Sequence, residues 1–394
     1  MFNVASLSVA LTLGALFASS AESQCAPASN TSRGAWDTSQ AKLAPGTRPK
    51  PDGIALIHGI ACRADLQIDD GIIEFELAES AGGFAGIAFR MQSAADYEIL
   101  YFRAGANGRW AGVQYQPVYE GETTWQLYPG AGYEADIPQK VFKRRGGWMP
   151  VRIVIAGSRA DVFVGDSAEP VLRVRELKRP RASGAIGIWS TGQDTWKQPT
   201  GFVRELHVYP LGALTLAAAA PDSAPAGQLV RWRVSSRFAK PDSLAFSDKL
   251  PDDARRDVVA GKIVEAEGSG LVNLTASIGN PAGRQTTNVF GGAGWGVAYA
   301  TVTLHSNRAQ TRYLSLSYSD AVGLYVDGAL VYIGDNRADM RGPNSLGLVS
   351  HEAETVPLRL HVGDNEVVLA VADKAFGWGF RARLDSLGEV SVSP

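Results

Sequence analysis

Between Gly83 and Tyr128 the chain sets aromatic rings and forked nitrogen side chains a few residues apart. Arg90 closes Gly83-Phe84-Ala85-Gly86-Ile87-Ala88-Phe89-Arg90. Tyr97, Tyr101 and Arg103 follow, then Gln114 and Gln116, then Trp125 at the head of Trp125-Gln126-Leu127-Tyr128. Each piece is of strand length. Alternate side chains of an extended strand share a face. Tyr97, Ile99, Tyr101 and Arg103 therefore stand together, opposite Glu98, Leu100 and Phe102. Gly86, Ala88 and Arg90 share a face of the preceding strand, where small residues leave room above the sheet. Gln114 and Gln116 point the same way. Rings stack on the apolar face of a sugar, while Arg and Gln offer forked donors to adjacent hydroxyls. The expected ligand is an oligo- or polysaccharide, held by Arg90, Tyr97, Tyr101, Arg103, Gln114, Gln116 and Trp125. A core tyrosine pair with arginines at its rim would give the same spacing.

Hydrolysis would need carboxylates. Glu98, between Tyr97 and Tyr101, is the first candidate for a general acid. Glu74 and Glu76 share a strand face at about 7 Å, within the roughly 5 to 9 Å that paired-carboxylate glycosidases use. The Glu-x-Asp-x-x-Glu pattern of laminarinase-type jelly rolls is absent, so a plain exposed face accounts for the pair. The five histidines are scattered without metal-type spacing. No Gly-x-Ser-x-Gly elbow occurs. The glycines around Trp295 do not lead a strand into a helix, as a phosphate cradle requires. Three readings stay open: a carbohydrate-binding protein, a glycan-processing hydrolase using Glu98, and a structural surface module.

Strands must position these residues. Ile73, Phe75 and Leu77 alternate with Glu74 and Glu76, a half-buried period of two. Further strands are expected at Ala85–Met91, Tyr97–Arg103, Ala111–Gln116, Val151–Ala156, Asp161–Val164, Ala185–Trp189 and Val203–Tyr209. After a break, expected strands include Leu229–Val234, Leu271–Ser277, Trp295–His305, Thr311–Tyr318, Glu366–Ala372 and Gly379–Arg383, with one helical turn at Asp252–Val259. Asp327-Gly328 between apolar runs signals a hairpin. With 43 glycines and 20 prolines among 394 residues, turns are frequent, as short strands demand. The fold class is all-β: two tandem jelly-roll β-sandwiches after a signal peptide. The divisions are 1–21 signal peptide, 22–51 lead-in linker, 52–210 first sandwich, 211–227 linker and 228–394 second sandwich.

A net charge of −2 gives no reason to expect nucleic acid or an anionic membrane. Lys143-Arg144-Arg145 and Lys178-Arg179-Pro180-Arg181 are expected to be solvated loops. The apolar run from Val4 to Phe17, followed by Ala18-Ser19-Ser20-Ala21, reads as an export signal cleaved after Ala21, although no Lys or Arg precedes it. The run is short for a bilayer span, so a secreted or periplasmic chain without a membrane span is expected. Cys25 and Cys62 either pair in an oxidising compartment or are two unrelated thiols.

Residues Asp52 to Pro210 resemble the concanavalin A-like lectin/glucanase and laminin-G-type jelly roll. The resemblance rests on Gly86-Ile87-Ala88-Phe89-Arg90, Tyr97-Glu98, Tyr101, Arg103, Tyr115, Trp125-Gln126-Leu127-Tyr128 and Trp148-Met149-Pro150-Val151. It extends more loosely to the 3-keto-disaccharide hydrolase-type domain. Gly227 to Ser386 is similar to galactose-binding-like jelly rolls. There the matching residues are Glu267-Gly268-Ser269-Gly270-Leu271-Val272-Asn273-Leu274-Thr275, Tyr318-Ser319-Asp320, Leu324-Tyr325-Val326-Asp327-Gly328, Gly363-Asp364-Asn365-Glu366 and Phe376-Gly377-Trp378-Gly379-Phe380. Both folds host lectins, enzymes and passive modules. They often place a structural ion in acidic turns, which makes Asp69-Asp70 and Asp320, Asp335 and Asp339 candidates for calcium; solvated turns are the alternative. No other cofactor is expected. Trp295, Trp378, Phe376 and Phe380 are expected to be buried, closing an end of the second sandwich.

Overall fold

The computed structural model describes residues 25, 34–79, 83–103, 112–137, 147–191, 200–217, 220, 222–236, 243–279, 295–338, 340–342, 345–350, 354–374 and 376–394. The expected signal peptide (1–21), Lys143-Arg144-Arg145, Asp339 and the glycines at 291, 292 and 294 lie outside the described residues.

The chain is all-β, two tandem jelly-roll β-sandwiches. In the first, the strands are β1 (Asp37–Leu43), β2 (Ile54–Ile68), β3 (Gly71–Glu79), β4 (Phe84–Ser93), β5 (Asp96–Phe102), β6 (Val113–Tyr119), β7 (Glu122–Thr123), β8 (Glu134–Ala135), β9 (Met149–Ala156), β10 (Arg159–Val164), β11 (Leu172–Val174), β12 (Gly184–Thr191) and β13 (Gly201–Tyr209). They form one curled antiparallel sheet in the order β11-β10-β9-β3-β13-β2-β12-β4-β5-β6-β7, with β1 on β2 and β8 on β6. The alternating apolar residues explain the curl. Ile73, Phe75 and Leu77 of β3 and Val151, Ile153 and Ile155 of β9 can leave water only against a second layer. They meet Ile87 and Phe89 of β4 and Leu100 and Phe102 of β5 in one core. Phe75 and Phe102 touch edge to face across it, ring centres 6.3 Å apart.

The second sandwich contains β14 (Arg231–Val234), β15 (Lys262–Glu265), β16 (Val272–Asn273), β17 (Gly296–Ser306), β18 (Gln310–Ser319), β19 (Ala321–Val326), β20 (Ala329–Asp335), β21 (Glu354–Leu360), β22 (Gly363–Asp373), β23 (Gly379–Leu384) and β24 (Val390–Ser393). One layer runs β15-β14-β17-β22-β19-β20, with β24 on β17; the other runs β16-β23-β18-β21. Trp232 and Phe380 pack between them, ring centres 4.9 Å apart. Asp327 and Gly328 both adopt positive φ in the β19–β20 turn, as the hairpin signal requires. Helix α1 occupies Asp252–Val259. Trp378 and Phe380 are fully buried and Trp295 nearly so.

Three expectations need correction. The lead-in of 22–51 is more than a linker: it carries β1, and Cys25 is disulfide-bonded to Cys62 of β2. The stretch expected as a strand at Leu271–Ser277 is only the short β16 followed by helix α2 (Leu274–Ile278). The Asn273 side chain accepts from Ala276 N at 2.9 Å and caps that helix. The linker of 211–227 is tied to both halves, through Asp222 to Tyr133 and through Gly227 to Leu384. No helix among the described residues is long and apolar enough to cross a membrane.

Candidate functional site

Register places the candidate residues. Trp189 of β12 lies opposite Gly86 of β4, Gly86 opposite Tyr101 of β5, and Tyr101 opposite Gln114 of β6. Directly opposed residues share a face. The next rung is Gly187, Ala88, Ile99 and Gln116. The face is therefore the outer one of the β12-β4-β5-β6 layer, turned away from the main core. On it the Tyr101 hydroxyl donates to Gln114 Oε1 at 2.7 Å. Arg103 Nη2 donates to the Tyr101 oxygen at 2.5 Å and also to Gln114 Oε1. The guanidinium carbon lies 4.8 Å from the Tyr101 ring centre and 5.5 Å from that of Phe84. Trp189 meets Tyr101 nearly edge-on at 5.5 Å. Gln114 Nε2 reaches the Trp125 and Tyr128 carbonyls at 3.1 and 3.4 Å. Gln116 Oε1 accepts from Thr124 N at 2.7 Å.

So Tyr97, Tyr101, Arg103, Gln114 and Gln116 share one face, as the alternation predicts. Trp125 stands at its edge, half-buried, in a 3-10 turn (Trp125–Leu127) rather than a strand. Two candidates are elsewhere. Arg90 has φ +50°, and the register slips between Phe89 and Ser93. This bulge rolls its side chain off the face; Nε donates to Asp69 O at 2.9 Å and Nη2 to Gly157 O at 2.6 Å. Glu98 lies on the opposite, core side. It is fully buried, accepting from the Tyr115 hydroxyl and from Arg179 N at 3.0 Å. It cannot act as a general acid on the face that carries Tyr101.

The face is also not open. Tyr97, Tyr101, Arg103, Gln114 and Gln116 are 0 to 3% exposed. The space expected above Gly86 is filled, because a Cβ there would lie 2.6 Å from Tyr101 Cα. Burial lifts the Tyr101 hydroxyl to about 12, and it holds Tyr97 still higher. Both are neutral donors at any physiological pH.

Three residues of the face were missed: Trp189, Phe84 and Glu134. Glu134 of β8 lies opposite Gln114. The Gly187–Trp189 alternation on β12 was a legible signal for the first. Glu134 lay in a two-residue strand with no pattern to read. The Trp189 indole N–H and the Tyr97 hydroxyl are buried with no hydrogen-bond partner among the described residues.

The remaining candidates are accounted for by local contacts. Glu74 and Glu76 line an open cleft of about 690 Å³ with Arg152, Phe163, Glu205 and His207, and Glu76 pairs with Arg204 at 2.5 Å. Asp69 and Asp70 already face two guanidiniums, Arg90 and Arg181, a poor setting for calcium. Asp335 pairs with Arg337 at 2.6 Å, and Asp320 accepts from Lys374 N at 2.8 Å. The basic stretch 178–181 is not a solvated loop throughout. The Lys178 side chain is 4% exposed and reaches Glu267 at 2.9 Å, and Arg179 pairs with Asp96 at 3.1 Å.

No family model and no curated protein sequence matches this chain. Solved structures do resemble parts of it. A carbohydrate-binding module from Bacillus subtilis is 12% identical over 44% of this chain and 94% of that one, with TM-score 0.31. A putative glycosyl hydrolase from Parabacteroides distasonis is 11% identical over 44% and 90%, with TM-score 0.29. A family 35 carbohydrate-binding module from an environmental isolate is 18% identical over 25% and 69%, with TM-score 0.19. Likenesses at these scores carry no argument about function.

Proposed function

We propose that this chain is an exported carbohydrate-binding protein whose site is the cluster of Tyr101, Arg103, Gln114 and Trp189. One observation carries the reading. A hydrogen-bonded Tyr-Arg-Gln set shares its face with two buried donors, Trp189 Nε1 and Tyr97 OH, that have no partner among the described residues. Leaving a buried donor unsatisfied costs about 1–3 kcal/mol. A sugar offers hydroxyl oxygens to such donors and an apolar face to the rings beside them. These side chains are covered in this structure, so a sugar reaches the donors only by displacing what packs on them. Export is supported by the Cys25–Cys62 disulfide, since such bonds persist in oxidising compartments.

The test is glycan-array binding by the full chain. Trp189→Phe keeps a ring and removes the N–H; it should weaken binding about tenfold, the worth of one buried hydrogen bond. Tyr101→Ala with Arg103→Ala should abolish it. Binding that survives the double substitution would remove the reading.

A further inference from the structure

The 3-10 turn that carries Trp125 is gripped by the second sandwich. All four hydrogen-bonding groups of Gln126 go there. Its N–H donates to Phe376 O at 3.3 Å, and its carbonyl accepts from Val349 N at 2.9 Å. Its Nε2 donates to Leu346 O at 2.8 Å, and its Oε1 accepts from Ser319 Oγ at 2.9 Å. Gln126 is fully buried.

Its neighbours are held as firmly. The Trp125 ring packs on Phe376 at 5.4 Å. Leu127 lies so close to Gly377 that a Cβ on that glycine would meet Leu127 Cγ at 2.9 Å. Tyr128 OH donates to Glu267 at 2.6 Å and accepts from Asn273 at 2.9 Å. The carbonyls of this same turn, those of Trp125 and Tyr128, receive Gln114 Nε2. Gln114 Oε1 faces the other way, to Tyr101 and Arg103. One amide thus links the face of the first sandwich to a turn whose position the second sandwich sets.

We propose that the second sandwich is a built-in partner of this face. It docks on Trp125–Tyr128, fixes the carbonyls that orient Gln114, and so completes the Tyr101-Arg103-Gln114 cluster. Gln126 is then a positioning residue, acting through Gln114. The consequence for binding rests on the sugar-binding reading; the mechanical coupling does not. A Gln amide held at both ends cannot turn without breaking hydrogen bonds at each, so a loosened turn frees the Tyr101 and Arg103 donors as well.

The experiment uses the full chain as wild type, Gln126→Ala and Ser319→Ala. Amide hydrogen exchange is followed over β5 and β6 without sugar, and glycan-array affinity is measured beside it. Gln126→Ala should speed exchange in β5 and β6 about tenfold and weaken glycan binding by a similar factor, with Ser319→Ala smaller in the same direction. If Gln126→Ala does not fold, Ser319→Ala, which removes one donor from the second sandwich, decides the matter. Unchanged exchange in β5 and β6 overturns the mechanical coupling, whatever the array gives. Faster exchange with unchanged glycan affinity overturns the coupling to binding. Faster exchange in a chain whose wild type binds no glycan supports the dock and removes the sugar reading alone.

Discussion

Glu98 gives the sharpest quantitative test of how this chain is built. Its carboxyl is fully buried, and burial pushes its pKa from the ordinary 4.5 up to about 7, against the Tyr115 hydroxyl and Arg179 N–H that favour the ionised form. The folded chain therefore holds a proton that the unfolded chain releases above about 4.5. The stability this confers is present in full below pH 4.5 and lost as pH rises through about 7. At 1.36 kcal/mol per pH unit, a displacement of about 2.5 units is worth about 3 kcal/mol. Glu98→Gln keeps the shape and cannot ionise. Urea unfolding of both full chains between pH 4 and pH 8.5 isolates the carboxyl, because other titrating groups cancel in the difference. The wild type should lose about 3 kcal/mol relative to Glu98→Gln across this range, most of it between pH 4.5 and 7. A difference that stays flat with pH would show that Glu98 is solvated or ionised in the folded chain, and the burial argument would fail.

Two further outcomes follow from the fold. Cys25→Ser with Cys62→Ser, or reduction, opens a loop of 37 residues' separation and should cost about 3–4 kcal/mol by the chain-entropy estimate; urea unfolding with and without reductant reads it. Lys178→Met removes the cation that faces Glu267 and Asp222 between the halves. It should cost about 2–3 kcal/mol, less than the roughly 3–5 of a fully buried pair, because the Glu267 side chain keeps 21% exposure. A thermal melt showing no loss would mean the halves do not rely on that network.

The network also bears on how the protein must be handled. Tyr128, Tyr133 and Lys178 of the first sandwich find their partners in Glu267, Asn273 and Asp222. A fragment ending near Pro210 would expose or strand these groups, so the proposed binding is to be assayed on the whole chain.

Sequence alone determined most of the strands and, away from bulges, the side each residue takes along them. The two-residue period is local, and it assigned Tyr97, Tyr101 and Arg103 to one face and Glu98 to the other. The chemistry of Asp327-Gly328 likewise fixed a hairpin within two residues. What covers a face is not written in its alternation. That Tyr101 is sealed, that the Trp125 turn is clasped by residues more than 200 positions away, and that Lys178 is buried follow from packing between distant segments. Arg90 shows the limit most plainly. A single bulge, where the register of β4 slips against both β5 and β12, moved its side chain off the face that perfect alternation had given it.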